Sequence, residues 1–205
     1  FEGCEDIRQM FINDVAKYGN DDDYVDEIAK DITNAFFDAY VKYRNPRGGV
    51  FHPGLQSSST HALFVDAVGT TPDGRRRKDL LADGGVSAAQ GRDINGPTAL
   101  IKSVAKLDHY RATNGTLLNI KFHPSALEGD ARRENIIALI KTYFEMGGHH
   151  IQCSCISSDM LKDAQKNPEK YPTLVVRVAG FSVLFNSIDK TLQDDIINRT
   201  EQMFA

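Results

Sequence analysis

The stretch Thr173–Phe185, TLVVRVAGFSVLF, decides how this chain is read. Two apolar runs, Leu174–Val178 and Val183–Phe185, flank one glycine, Gly180. Five of the thirteen residues are β-branched, four valines and Thr173, which favours extended backbone. A glycine inside such a run weakens a strand, so its presence asks for a reason. One reason is conformational: glycine tolerates backbone angles that other residues avoid, and marks a bulge or turn. A second is chemical. Only glycine has an α-carbon without a side chain, so an unpaired electron there can flatten the carbon and spread into the amide nitrogen and the carbonyl. Pattern alone leaves the conformational reason ahead.

The surrounding words change the balance. Arg177-Val178-Ala179-Gly180-Phe181-Ser182 resembles the RVxGY(S/T) signature of the glycyl radical enzymes, the pyruvate formate-lyase superfamily, with Phe181 in place of the usual tyrosine. Further words follow the family order: FEGCEDIRQM from Phe1, YGNDDDY (Tyr18–Tyr24), TPDGRR (Thr71–Arg76), LADGGVS (Leu81–Ser87), GRDINGPT (Gly91–Thr98), NGTLLNIKFHPSAL (Asn114–Leu127) and LQDDIINRTEQ (Leu192–Gln202). The words GRDINGPT and NGTLLNIKFHPSAL look closer to the diol, choline, hydroxyproline and arylacetate branch than to pyruvate formate-lyase itself.

Composition sets the bounds. At 205 residues the chain can bury a core as one domain. A net charge of −4 with no basic stripe argues against nucleic acid, and a mean hydropathy of −0.36 with no long apolar run argues against a membrane. Three cysteines, Cys4, Cys153 and Cys155, suit a reduced compartment, and no signal peptide is visible, so a cytoplasmic setting is expected. The first word is mid-domain in the family, so residues 1–205 read as the C-terminal portion of a longer enzyme, or as a renumbered chain.

Periodicity predicts helices over Ile7–Ala16, Tyr24–Tyr43, Thr98–Leu107, Ala131–Met146, Asp159–Lys166 and Asp189–Phe204. Strands are expected over Val50–Val68, interrupted by polar Gln56–Thr60, and over Thr116–Phe122, His149–Ile156 and the glycine stretch. Thr71–Lys78 reads as a solvated, salt-bridged arginine turn, and Leu80–Thr98 as a long loop. The acidic run Asp21–Asp23 reads as a helix cap rather than a cation site. The class is α/β. The resemblance implies the C-terminal part of a ten-stranded α/β barrel of two half-barrels. Its centre receives a cysteine loop and a glycine loop, here residues 173–185. A piece of such a barrel exposes surfaces that the upstream part covers.

The resemblance assigns the radical to Gly180. A radical-SAM activase carrying an iron–sulfur cluster abstracts hydrogen from its α-carbon. The radical then passes to a catalytic cysteine, whose thiyl form attacks a small-molecule substrate. No bound cofactor is implied, oxygen would cleave the backbone at the glycine, and an anaerobic organism or microcompartment is the implied setting. The cysteine loop lies upstream of this chain. Gly3-Cys4-Glu5 only mimics it, because relatives carry an aromatic at Cys4. Arg177 and Ser182 are expected to support the loop, Arg177 through backbone or carboxylate. Ser58 and Thr60, in a strand reaching the barrel interior, are the candidate substrate-facing hydroxyls. Cys153 and Cys155 share one strand face and read as buried inert thiols, with metal binding the weaker reading. His149 and His150 point to opposite faces, one packing and one hydrogen-bonding.

The expected function is radical storage in the C-terminal portion of an anaerobic glycyl radical lyase or dehydratase, with a homodimer among the expected assemblies. The alternatives are a stand-alone radical-carrying subunit that repairs an oxygen-damaged enzyme, and an inactive excised domain.

Overall fold

The computed structural model describes residues 2–204; Phe1, where the first family word begins, and Ala205 lie outside them. In chain order the elements are α1 (Glu5–Asn13), α2 (Asp23–Tyr40), α3 (Thr60–Leu63), α4 (Gly96–Ala105), β1 (Asn119–Phe122), α5 (Asp130–Glu145), β2 (Gln152–Cys155), α6 (Ser158–Lys166), β3 (Val175–Arg177), β4 (Ser182–Leu184), α7 (Lys190–Asn198) and β5 (Glu201–Gln202). The class is α/β, with two separate sheets. One is parallel, in the order β2-β1-β5; the other is the antiparallel hairpin β3-β4.

Helix starts follow local chemistry. Asp22 caps α2, its carboxylate accepting from the Tyr24 and Val25 N–H groups. Ser157 caps α6 and Asp189 caps α7 in the same way. β1 is buried along its whole length, as a central parallel strand covered on both faces should be. Alternation sends Ile120 and Phe122 into a core with Leu100, Ile101 and Val104 of α4 and Leu139 and Tyr143 of α5. A second core joins Val176, Val178, Ala179 and Phe185 of the hairpin region to Leu161 and Ala164 of α6, Ile196 and Ile197 of α7, and Leu117. The glycine hairpin therefore seats on a layer of its own.

Several expectations are corrected. Val50–Val68 is not an interrupted strand. It makes single bridges, Val50 with Arg44 and Leu55 with Thr116, then turns into α3. Pro53 cannot donate to a ladder. Ser58 sits at φ +53°, and the Thr60 hydroxyl bonds back to the Ser57 carbonyl, so local side-chain bonds displace the strand. The C-terminal helix does not run to Phe204. It ends at Asn198, where Arg199 turns to extended backbone and the chain becomes β5 beside β1. Thr98 lies inside α4, whose cap position is Asn95. The arginine turn is only partly solvated: Arg76 pairs with Glu5 in solvent, but Arg75 is buried and donates to the Val68, Arg76 and Asp79 carbonyls.

Cys153 and Cys155 are exposed, not buried. Pairing sets them beside Ile120 and Phe122, and partial desolvation of the sulfur pushes the Cys153 thiol up to about 11. The apolar stripe of α2 is also open: Ile28, Ile32 and Phe36 are exposed and Phe37 is its buried aromatic. His149 packs its ring against His109 and Tyr110, whereas His150 keeps a buried Nδ1 without a hydrogen-bond partner. The Asp21 and Asp23 carboxylates pair with Lys102 and Lys106.

Candidate functional site

The hairpin explains where Gly180 sits. Register pairs Val175 with Leu184, Val176 with Val183 and Arg177 with Ser182, and the Val178 N–H donates to the Phe181 carbonyl at 3.0 Å. Ala179 and Gly180 make the connection. Gly180 takes φ +81°, the left-handed region that favours glycine. A Cβ there would meet only Leu117 Cδ1 at 3.7 Å, an ordinary contact. The glycine is thus required by conformation and not by crowding. It is exposed at the tip, while Val178 and Ala179 before it are buried.

The peptide is held from below. The Gly180 N–H donates to Gln152 Oε1 at 3.0 Å, and Arg177 Nε donates to the same oxygen at 2.9 Å. Arg177 Nη1 also donates to Ser182 Oγ at 3.1 Å across the hairpin. Arg177 and Ser182 thus meet, and Arg177 reaches its partners through a carboxamide and a hydroxyl and not through backbone or carboxylate.

Gln152 begins β2 directly opposite Asn119 of β1, and its Nε2 donates to Asn119 Oδ1 at 2.7 Å. Asn119 Nδ2 donates to Asp83 Oδ2 at 3.1 Å. Asp83 pairs with Arg199 at 2.8 Å, and Arg199 pairs with Asp195 at 2.7 Å. Arg199 also donates to the Arg177 carbonyl at 3.2 Å, and His61 Nε2 stands 3.2 Å from Asp195. Burial pushes the Asp83 carboxyl above its ordinary value, against the pull of Arg199. Burial also acts to raise Asp195, but His61 and Arg199 outweigh it and hold that carboxyl low. The result is a buried polar chain from the glycine tip through both sheet strands to α7.

Ser58 and Thr60 do not join this chain. Both are exposed on the Ser57–Thr60 turn, whereas their neighbours reach the chain: the Ser57 hydroxyl donates to the Asp83 carbonyl, and His61 stands beside Asp195. Gln152, Asn119, Asp83 and Arg199 were not singled out from the sequence. The signal was there: polar residues at core positions within apolar strand words demand partners. Among the described residues, no group of three or more His, Cys, Asp or Glu side chains could hold a metal ion, and no helix is long and apolar enough to cross a membrane.

With this geometry in view, comparison with known proteins defines the class. The glycine radical family matches residues 82–186, and the pyruvate formate lyase-like family matches residues 1–65. The chain belongs to the glycine radical family, whose domain implies a radical on glycine as a modification. It is 45% identical over 204 residues to the trans-4-hydroxy-L-proline dehydratase of Clostridioides difficile, covering 100% of this chain and 26% of the relative.

Among solved structures it is similar to the glycerol-bound B12-independent glycerol dehydratase of Clostridium butyricum, with a TM-score of 0.95 and 50% identity, covering 100% of this chain and 26% of that one. It is also similar to the Roseburia inulinivorans protein described for 1,2-propanediol dehydration, with a TM-score of 0.94 and 46% identity, covering 98% and 25%. The chain thus spans about a quarter of the length of the relatives it matches, 26% in both the hydroxyproline and glycerol dehydratases. It is an α/β fragment of their barrel, and the hydroxyproline and diol dehydratases among these relatives fall in the branch that the sequence words indicated.

Proposed function

We propose that this chain is the radical-storing portion of an anaerobic glycyl radical lyase or dehydratase, and that Gly180 holds the radical. The observation that carries the reading is the placement of the RVAGFS segment. Within the family match it forms a hairpin tip whose glycine carries the left-handed backbone and has its amide fixed by Gln152.

A radical-SAM activase with an iron–sulfur cluster breaks the Gly180 Cα–H bond and takes the hydrogen atom. One unpaired electron stays on the carbon, shared with the Gly180 nitrogen and carbonyl. The carbon regains hydrogen from the thiol of a cysteine outside this chain, on an upstream portion or partner chain. That sulfur keeps the unpaired electron and attacks a small-molecule substrate. Arg177 and Ser182 brace the tip, and the exposed Ser58 and Thr60 hydroxyls are the substrate-facing candidates. A cytoplasmic, oxygen-free setting and a homodimer complete the proposal.

The test is electron paramagnetic resonance of the protein carrying this chain after anaerobic treatment with a radical-SAM activase. A doublet from the remaining α-hydrogen, absent in a folded Gly180→Ala variant, is the expected result. No signal, or one that survives Gly180→Ala, overturns the assignment.

A further inference from the structure

Hydrogen-bond polarity leaves Gln152 little freedom. The Arg199 cation, 2.8 Å from Asp83, favours the ionised form of that carboxyl, which has acceptors alone. Asp83 Oδ2 then accepts a hydrogen bond from Asn119 Nδ2 at 3.1 Å, which turns Asn119 Oδ1 toward β2. That oxygen accepts from Gln152 Nε2 at 2.7 Å. The remaining Gln152 atom, Oε1, must face the hairpin as an acceptor, and there it meets the Gly180 N–H at 3.0 Å. Gln152 is 8% exposed, so water does not compete freely for that oxygen. The charge of Arg199, just past the end of α7, thereby fixes which end of an amide points at the glycine.

Resting on the radical assignment to Gly180, we propose that Gln152 is a positioning residue that polarises the Gly180 amide and sets the stability of the α-carbon radical. An acceptor on an N–H raises electron density at the nitrogen. The nitrogen lone pair then donates better into the half-filled α-carbon orbital, provided that the peptide plane is held. Gln152 does both with one oxygen, and Arg177 on the same oxygen limits its rotation.

Substitution separates these effects. Gln152→Met keeps the volume but cannot accept strongly. Gln152→Glu keeps an acceptor oxygen and adds charge, with Arg177 beside it as counter-ion. In the activated, 15N-labelled protein, the Gly180 nitrogen hyperfine coupling should fall in Gln152→Met and rise in Gln152→Glu relative to wild type. The doublet should decay about ten-fold faster in Gln152→Met, the factor that one hydrogen bond supplies. A purely structural glutamine would leave the nitrogen coupling unchanged.

Wild-type coupling and decay in Gln152→Met overturn the proposal. Should that variant fail to fold, an unchanged nitrogen coupling in Gln152→Glu overturns it equally. A wild-type protein with no glycine-dependent doublet instead refutes the radical assignment itself, so the two failures are distinct.

Discussion

Arg199 stands 2.8 Å from Asp83, with side chains only 6% and 8% exposed, so the pair is closed off from solvent. The same guanidinium reaches Asp195 at 2.7 Å and the Arg177 carbonyl at 3.2 Å. One cation thus pairs with two buried carboxylates and fastens the hairpin's first strand. Removing one partner of a buried ion pair leaves an uncompensated charge, which costs about 3–5 kcal/mol. Arg199→Ala is expected to destabilise by that order in chemical denaturation. Asp83→Asn, which keeps shape without charge, should cost less.

Gly180→Ala should be mild for the fold. Leu117 leaves room for the added methyl group, and the cost comes from φ +81° alone, about 1–2 kcal/mol. A thermal melt that stays cooperative with a modestly lower midpoint is the expected outcome. This makes the variant a clean control for the radical assignment.

Gly85 presents the opposite case. Its φ is ordinary, but a Cβ would overlap the Leu55 carbonyl group and the Gln56 nitrogen. Leu55 is pinned there by bonds to Gly115 and Leu117, so the backbone cannot easily withdraw. Gly85→Ala should cost about 3 kcal/mol or more through overpacking. A stability equal to wild type would contradict the close approach.

His109 supplies a pH dependence. It is buried, with Nδ1 3.0 Å from Thr116 Oγ1 and Nε2 2.9 Å from the Val104 carbonyl. Burial depresses its pKa below the ordinary 6.5, against the pull of the Val104 carbonyl. The unfolded chain therefore binds the proton first as pH falls, so stability is full above about 6.5 and declines below it. The denaturation midpoint should drop between pH 7.5 and 5, and His109→Gln should flatten part of that slope.

Much of the layout was legible because local rules and tertiary packing agree. The α5 helix, the cap within Asp21–Asp23 and the extended runs that flank Gly180 all follow from spacing and turn chemistry. Reading failed where distant contacts decide. Arg199 leaves the helix because Asp83 and Asp195 hold its side chain, which periodicity over Asp189–Phe204 cannot register. Cys153 and Cys155 look like core thiols by residue type, yet this chain does not cover their strand face. In the candidate site, Gly180, Arg177 and Ser182 stand in one contiguous word and come together at the hairpin. Gln152 and Asn119 were missed because their relationship exists only once β1 and β2 pair.

Among the described residues, no bond between main-chain groups joins the β3–β4 hairpin to the β2–β1–β5 sheet. Its moorings there are side chains: Gln152 on the Gly180 amide, Asn119 on the Val178 carbonyl and Arg199 on the Arg177 carbonyl. Lifting the hairpin therefore unzips neither ladder. Such a joint opens as a unit, with a free energy set by a few grips and one greasy seat, well short of melting the domain. Deuterium should enter the Gly180 amide well before it enters those of Ile120 and Phe122.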